Sequence, residues 1–200
     1  MSLKATAVVE RIGDWQQTHS GGQFYTLDPR PGEIFIEDIA HALSHQCRFA
    51  GHTEVFYCVD EHQVRVAWYL EETLRPTLGD GALEVALWGL MHDAGEAYLV
   101  DLPRPLKRQP SMAPYREAEE RLMRVIAQRF GLPPGFHDDP RVKHADQVLL
   151  ATEARDLMKR PPNAWESMPA PLRDKIEPWT PKMAREMFML SFKGLGGAYV

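Results

Sequence analysis

The chain has 200 residues, 44% of them hydrophobic, with 23 Lys and Arg against 28 Asp and Glu for a formal charge of −5. This is the profile of a globular protein rather than a disordered one, and its mild acidity argues against a duplex-DNA binder that works by neutralising phosphates. Two cysteines, Cys47 and Cys58, are too few for a disulfide scaffold or a four-sulfur zinc site, and no run of 18 apolar residues is present to span a membrane.

Residues 1–10 lack the apolar stretch of a signal peptide, so a reducing cytoplasm is the expected location. Residues 1–35 read as an irregular or β-like appendage. In it, residues 15–18 and 24–27 flank Ser20-Gly21-Gly22 as a short hairpin, and residues 28–32 form a turn. Ile36, Ile39, Ala40 and Leu43 then recur at helical spacing, which predicts a helix over 36–46. Asp60 is expected to cap a second helix carrying Val64, Ala67, Trp68 and Glu71. Asp80 is expected to cap a third, with Leu83, Leu87 and Leu90 on one face, that runs to about Ala94.

A long helix follows Ser111, carries Tyr115, Ala118, Leu122 and Ile126, and stops at Gly131 in the C′ position. Asp139-Pro140 supplies a cap and an N1 proline for the next, which passes through Val142, Ala145, Leu149 and Leu157 and is broken by Pro161-Pro162. Thr180-Pro181 opens a last helix through Met183, Met187 and Phe188 to Gly194. The prediction is one domain over 1–200: a mostly all-α helical bundle with a small N-terminal β-hairpin.

His92-Asp93 stands at the end of an apolar run, in Leu87-Trp-Gly-Leu-Met-His-Asp-Ala-Gly-Glu96. Two adjacent polar groups about 100° apart on a helix do not both fit an apolar core. Burying them costs several kcal/mol unless a partner or cation satisfies them. Glu96 is i+4 from His92 and i+3 from Asp93, so it is expected on their face. His62 near the start of the second helix and Asp146 one turn into a later one would complete a set of two imidazoles and two carboxylates. Such a set suits one divalent Mn, Fe, Co or Ni ion, or Zn with open positions, and is too rich in nitrogen for Ca²⁺. Spacing alone does not select these four residues.

Their order, His then His-Asp then Asp on separate helices, resembles the HD-domain metal-dependent phosphohydrolases. The stretch from His92-Asp93-Ala94-Gly95-Glu96 through Asp101-Leu102-Pro103-Arg104-Pro105-Leu106-Lys107 is similar to the 5′-deoxynucleotidase branch of that superfamily. Arg48-Phe49, fourteen positions before His62, matches an arginine–aromatic pair in the same pattern, with phenylalanine where tryptophan is usual. The likeness covers roughly residues 36–160.

The resemblance implies that His62, His92, Asp93 and Asp146 hold one divalent metal and that Glu96 orients or deprotonates the attacking water. It further implies that Arg48 and Lys107 contact phosphate, that Phe49 lies against the base, and that Asp101 binds the sugar or shapes the pocket. The substrate is then a nucleotide, first of all a deoxynucleoside 5′-monophosphate, and the protein a homodimer. The same superfamily holds triphosphohydrolases and a few diiron oxygenases, the latter requiring further iron ligands that have no counterpart here. A non-catalytic nucleotide- or partner-binding module is the remaining reading.

The other histidines are expected elsewhere: His41 and His45 in packing or support, His52 and His144 away from the site, and His19 and His137 in exposed loops. Trp68, Trp88 and the Met183/Met187/Phe188 stripe are expected in the core. Cys47 has no neighbouring base to make it a nucleophile.

Overall fold

Apolar side chains spaced three and four residues apart place most of this chain in helices that bury their stripes against one another. The computed structural model describes residues 11–163, 165 and 167–200; the first ten residues, which bear on the signal-peptide question, lie outside this set. The described residues form a mostly α fold with a two-stranded antiparallel sheet. Strands β1 (Gln16–Gln17) and β2 (Gln23–Phe24) pair with Gln16 opposite Phe24 and Gln17 opposite Gln23. The hairpin closes through Gly21 at φ 85. It is held down by the buried Phe24 and by Ser20, whose N–H and hydroxyl both donate to Asp38.

The helices are α1 (Ile36–His45), α2 (Val59–Leu78), α3 (Gly81–Met91), the short α4 (Glu96–Leu99) and α5 (Arg104–Lys107), then α6 (Ala113–Phe130), α7 (Pro140–Leu157) and α8 (Pro181–Gly194). Among the described residues none is long and apolar enough to cross a membrane. The caps at three sites agree with the sequence. Asp139 accepts from the N–H of Arg141, Thr180 accepts from the N–H of Met183, and Gly131 takes the left-handed conformation that ends α6, at φ 66.

Helix α2 is the axis of the molecule. It packs on α3 along most of its length, with α1, α7 and α8 around it. The α2–α3 approach depends on Gly89, because a Cβ there would run into Leu70 Cδ1 and Val66 Cγ1. The larger core joins Ile39, Leu43, Val64, Leu90, Leu122, Ile126 and Phe188; a second cluster seats α7 on α2 and α3 through Val66, Leu70, Val142, Ala145 and Leu149. Each fully buried leucine or isoleucine contributes about 2 kcal/mol.

Several expectations are corrected. Asp60 does not cap α2. It lies inside the first turn, fully buried, with neither carboxylate oxygen bonded, and Cys58 holds the N-cap position. Burial pushes the Asp60 carboxyl well above its ordinary range, against the pull of Arg185. Helix α3 stops at Met91 instead of reaching Ala94. Residues 92–95 form a tighter turn, with the N–H of Ala94 donating to Met91 O and the N–H of Glu96 donating to Asp93 O. Helix α7 ends at Leu157, ahead of the proline pair. Trp68 is 40% exposed and rests against Trp179, and Met183 also lies at the surface.

Candidate metal centre

The rim of α2 that faces α3 and α7 carries the first candidate. His62 is fully buried, one turn into the helix. Its Nδ1 lies 2.6 Å from Glu153 Oε1 on α7, so that nitrogen donates and Nε2 points the other way. His92, at the C-terminal end of α3, is fixed in the same sense: its Nδ1 donates to the carbonyl of Gly89 at 2.7 Å. Both Nε2 atoms are buried and make no hydrogen bond. They face each other across Asp146, whose Oδ1 lies 3.2 Å from His62 Nε2. One ligand atom each from His62, His92 and Asp146 falls within 4.8 Å of the others, a group that could hold a metal ion. Two buried imidazole Nε2 atoms gathered with one carboxylate are the donor set a cation would satisfy once His62 gives up its proton, so the residues fit a metal.

Asp93 joins the group at its edge, with Oδ2 3.1 Å from His92 Nε2 and 3.8 Å from Arg48 Nη1. The turn that carries it is fastened to α2. With its amide oxygen toward the turn, Gln63 accepts from the N–H groups of Asp93 and Ala94 at 3.2 Å each; the opposite orientation would set donors against donors. The next turn is fastened to Gln46, which donates to the carbonyl of Glu96 and accepts from the N–H of Asp101.

Charge around the centre is polarised. Burial disfavours ionisation of Asp93, but His92, His62 and Arg48 outweigh it and hold the carboxyl far below its usual range. Burial likewise works against Asp146, and His62 more than offsets it. For His62, burial and Arg48 both lower the pKa, yet Glu153 and Asp146 raise it to about 9. Glu96 goes the other way: burial, reinforced by Asp93 and Asp101, pushes its carboxyl well above the ordinary value.

A cavity of about 320 Å³ opens over this centre. Its wall includes His92, Asp93, Glu96, Lys107 and Asp146 from the expected set. Lys107 Nζ sits 2.5 Å from Glu119 Oε1. Four expected residues do not line it: His62, Arg48, Phe49 and Asp101. Arg48 lies behind the centre, with Nε and Nη2 each 3.2 Å from Glu153 Oε2. Phe49 sits beside Arg48, its ring centre 5.3 Å from the guanidinium carbon, in a left-handed turn with Ala50 (φ 56 and 51). Asp101 carries a carboxyl that burial raises, despite Arg48. His137, expected in an exposed loop, instead lines the cavity with a side chain only 16% exposed. It gathers with Glu120 and Asp138, and Asp138 is already paired to Lys143 at 2.6 Å.

The residue sequence reasoning missed is Glu153. It is wholly buried and bonds His62, Arg48 and, through Oε1, the Tyr57 hydroxyl at 3.0 Å. Its signal was present: it stands seven residues from Asp146, two turns along the same face of α7, in a stripe otherwise apolar.

No family profile matches the chain. Two curated relatives do. One, named YfdR and described as uncharacterized, is from Escherichia coli K12; it is 39% identical over 182 residues that span 90% of this chain and 94% of the relative. Another uncharacterized protein, from Rhodobacter capsulatus, is 35% identical over 147 residues, 72% of each chain.

Proposed function

The chain belongs to the family of Escherichia coli YfdR, and we propose that it is a metal-dependent phosphohydrolase of the HD type that removes phosphate from deoxynucleoside 5′-monophosphates. The observation that carries this reading is the pair of buried, unbonded Nε2 atoms of His62 and His92 converging on Asp146 at the floor of a cavity.

His62, His92 and Asp146, with Asp93 alongside, would hold one divalent transition metal, Co, Mn, Fe, Ni or Zn, from the nitrogen–oxygen donor set. When bound, such an ion polarises a phosphoryl oxygen and acidifies water. Glu96 then supplies the proton chemistry. Its Oε2 is buried without a partner in the cavity wall, and burial beside Asp93 and Asp101 raises its pKa well above the ordinary carboxyl value, the direction a proton-transferring carboxyl needs. Lys107 places a positive charge on the same wall, and Arg48 Nη1 places another behind Asp93.

The charge of the wall favours a monophosphate over a triphosphate. Six acids line it, Asp93, Glu96, Glu119, Glu120, Asp138 and Asp146, against three bases, Lys107, Arg116 and Lys143. Those bases are engaged: Lys107 with Glu119, Lys143 with Asp138, and Arg116 with the carbonyls of Lys107 and Gln109. No free cationic arm among the lining residues is left for a polyphosphate tail. Among the described residues that line the cavity there is no aromatic plane other than imidazole, so base recognition falls to polar and aliphatic groups such as His137, Met123 and Val142.

The test is phosphate release from deoxynucleoside mono-, di- and triphosphates, with metal added and with Glu96→Ala. The expected result is turnover of monophosphates that Glu96→Ala abolishes while the variant still binds metal. Equal turnover by Glu96→Ala would remove that residue from the chemistry.

A further inference from the structure

The segments before and after residues 49–56 pair as an isolated antiparallel bridge with Cys47 opposite Cys58. Its two hydrogen bonds run from the N–H of Arg48 to Tyr57 O at 3.0 Å and from the N–H of Val59 to Gln46 O at 3.1 Å. They flank the cysteines and do not join them, so the pair occupies a non-hydrogen-bonded position, where Cα atoms approach to about 4.5 Å. That separation is within the range of about 4.4–6.8 Å that a disulfide requires.

The neighbouring rung shows which way the side chains face. Arg48 stands opposite Tyr57, and both reach the same residue, Glu153, so they share one face of the ladder. Side chains alternate along a strand, which puts Cys47 and Cys58 together on the other face. Both are free thiols, Cys47 exposed and Cys58 buried. We infer that Cys47 and Cys58 form a thiol–disulfide exchange site that reacts with small disulfides such as glutathione disulfide and closes to a cross-strand bond.

The exposed Cys47 is the point of entry. Its thiolate attacks one sulfur of glutathione disulfide, that S–S bond breaks, and one glutathione thiolate leaves and takes the proton Cys47 released. Cys58 then gives up its proton and attacks Cys47 Sγ, and the second glutathione departs as the thiol. Two protein thiols are oxidised and one glutathione disulfide is reduced to two glutathione molecules. Burial pushes the Cys58 thiol up to about 12 and leaves it little thiolate, so the exposed Cys47 meets the oxidant and closure by Cys58 is the slow step. The bond would fasten the ladder from which Arg48 and Tyr57 reach Glu153, and it does not depend on the protein being a hydrolase.

The experiment treats the folded, full-length protein with glutathione disulfide and reads intact mass, free thiols and a tryptic map. Trypsin cuts after Arg48 and Arg65, so the two cysteines fall on separate peptides. The expected result is loss of both thiols, a mass lower by two hydrogens, and a Cys47–Cys58 linked peptide pair that dithiothreitol reverses. Closing this short loop should also raise the melting temperature by about 5 °C. Cys58→Ser should stop at one glutathione on Cys47, and Cys47→Ser should take up none. A wild-type protein that keeps glutathione on Cys47 with Cys58 free, or that loses no thiol, overturns the inference. If Cys58→Ser does not fold, the wild-type peptide map alone decides between these outcomes.

Discussion

Glu153→Gln changes one atom at the most heavily shared carboxylate in the molecule. Glu153 is fully buried, receives Arg48 through Nε and Nη2 at 3.2 Å, and accepts from His62 Nδ1 at 2.6 Å and from Tyr57 at 3.0 Å. Removing its charge leaves the Arg48 guanidinium, itself only 9% exposed, without its main anion. Breaking a buried pair costs about 3–5 kcal/mol. Asp93 lies 3.8 Å from Nη1 and a glutamine oxygen still accepts, so the low end, about 3 kcal/mol, applies. For a chain of this size that is a fall in melting temperature of about 10 °C. His62 also loses the carboxylate that raises its basicity, and metal affinity should weaken about 10- to 100-fold. Thermal unfolding by circular dichroism and Co²⁺ titration against a chelator read the two effects. Tyr57→Phe, which keeps the charge, should cost only about 1 kcal/mol. A Glu153→Gln protein that melts within about 2 °C of wild type and binds Co²⁺ equally well would refute the role given to the buried network.

Four further outcomes are expected. With His62 raised to about 9, metal uptake below that pH displaces a proton, so Co²⁺ affinity should rise about tenfold per unit between roughly pH 7 and 9; a flat profile would contradict it. For the metal-free protein the sign reverses. A raised folded-state pKa stabilises fully below the unfolded value near 6.5, and the benefit is lost as pH climbs through about 9, so melting temperature should fall over that window. Gly89→Ala should push α3 off Leu70 and Val66, cost about 1–3 kcal/mol, and weaken metal binding because the Gly89 carbonyl orients His92; unchanged stability in urea titration would show that α3 does not need the glycine. Val100 is held at φ 59 and ψ 154, a region glycine tolerates, and its side chain is exposed, so Val100→Gly should stabilise by about 1 kcal/mol; destabilisation would count against strain at that position.

The helices with local signals were legible in the sequence, and the features set by tertiary contact were not. Asp139, Thr180 and Gly131 cap their helices by interactions within a few residues, which a linear pattern encodes. Asp60 has the residue type of a cap, but it sits within the first turn, buried by neighbouring helices, and burial of that kind leaves no local mark. Ala94 continues the apolar rhythm of α3, yet Gln63 and the turn at residues 92–95 end the helix three residues earlier. The candidate centre was legible only through the family-like order of His62, His92-Asp93 and Asp146, since these come from three separate elements. The Cys47–Cys58 rung was out of reach, because residues 46–59 carry no strand alternation to announce a bridge, and Glu153 left only an acid on an apolar stripe two turns from Asp146, its role set by partners on other segments.

If His62, His92 and Asp146 hold a metal that phosphate-ester hydrolysis requires, the most direct test is phosphate release from a panel of deoxynucleotides. Metal-stripped protein is reloaded with Co²⁺, Mn²⁺, Zn²⁺ or Mg²⁺ and assayed beside His62→Ala. Turnover of 5′-monophosphates should return with a transition metal and be absent in His62→Ala. No phosphate from any nucleotide with any of the four metals, or equal release by His62→Ala, would contradict that role for the three residues.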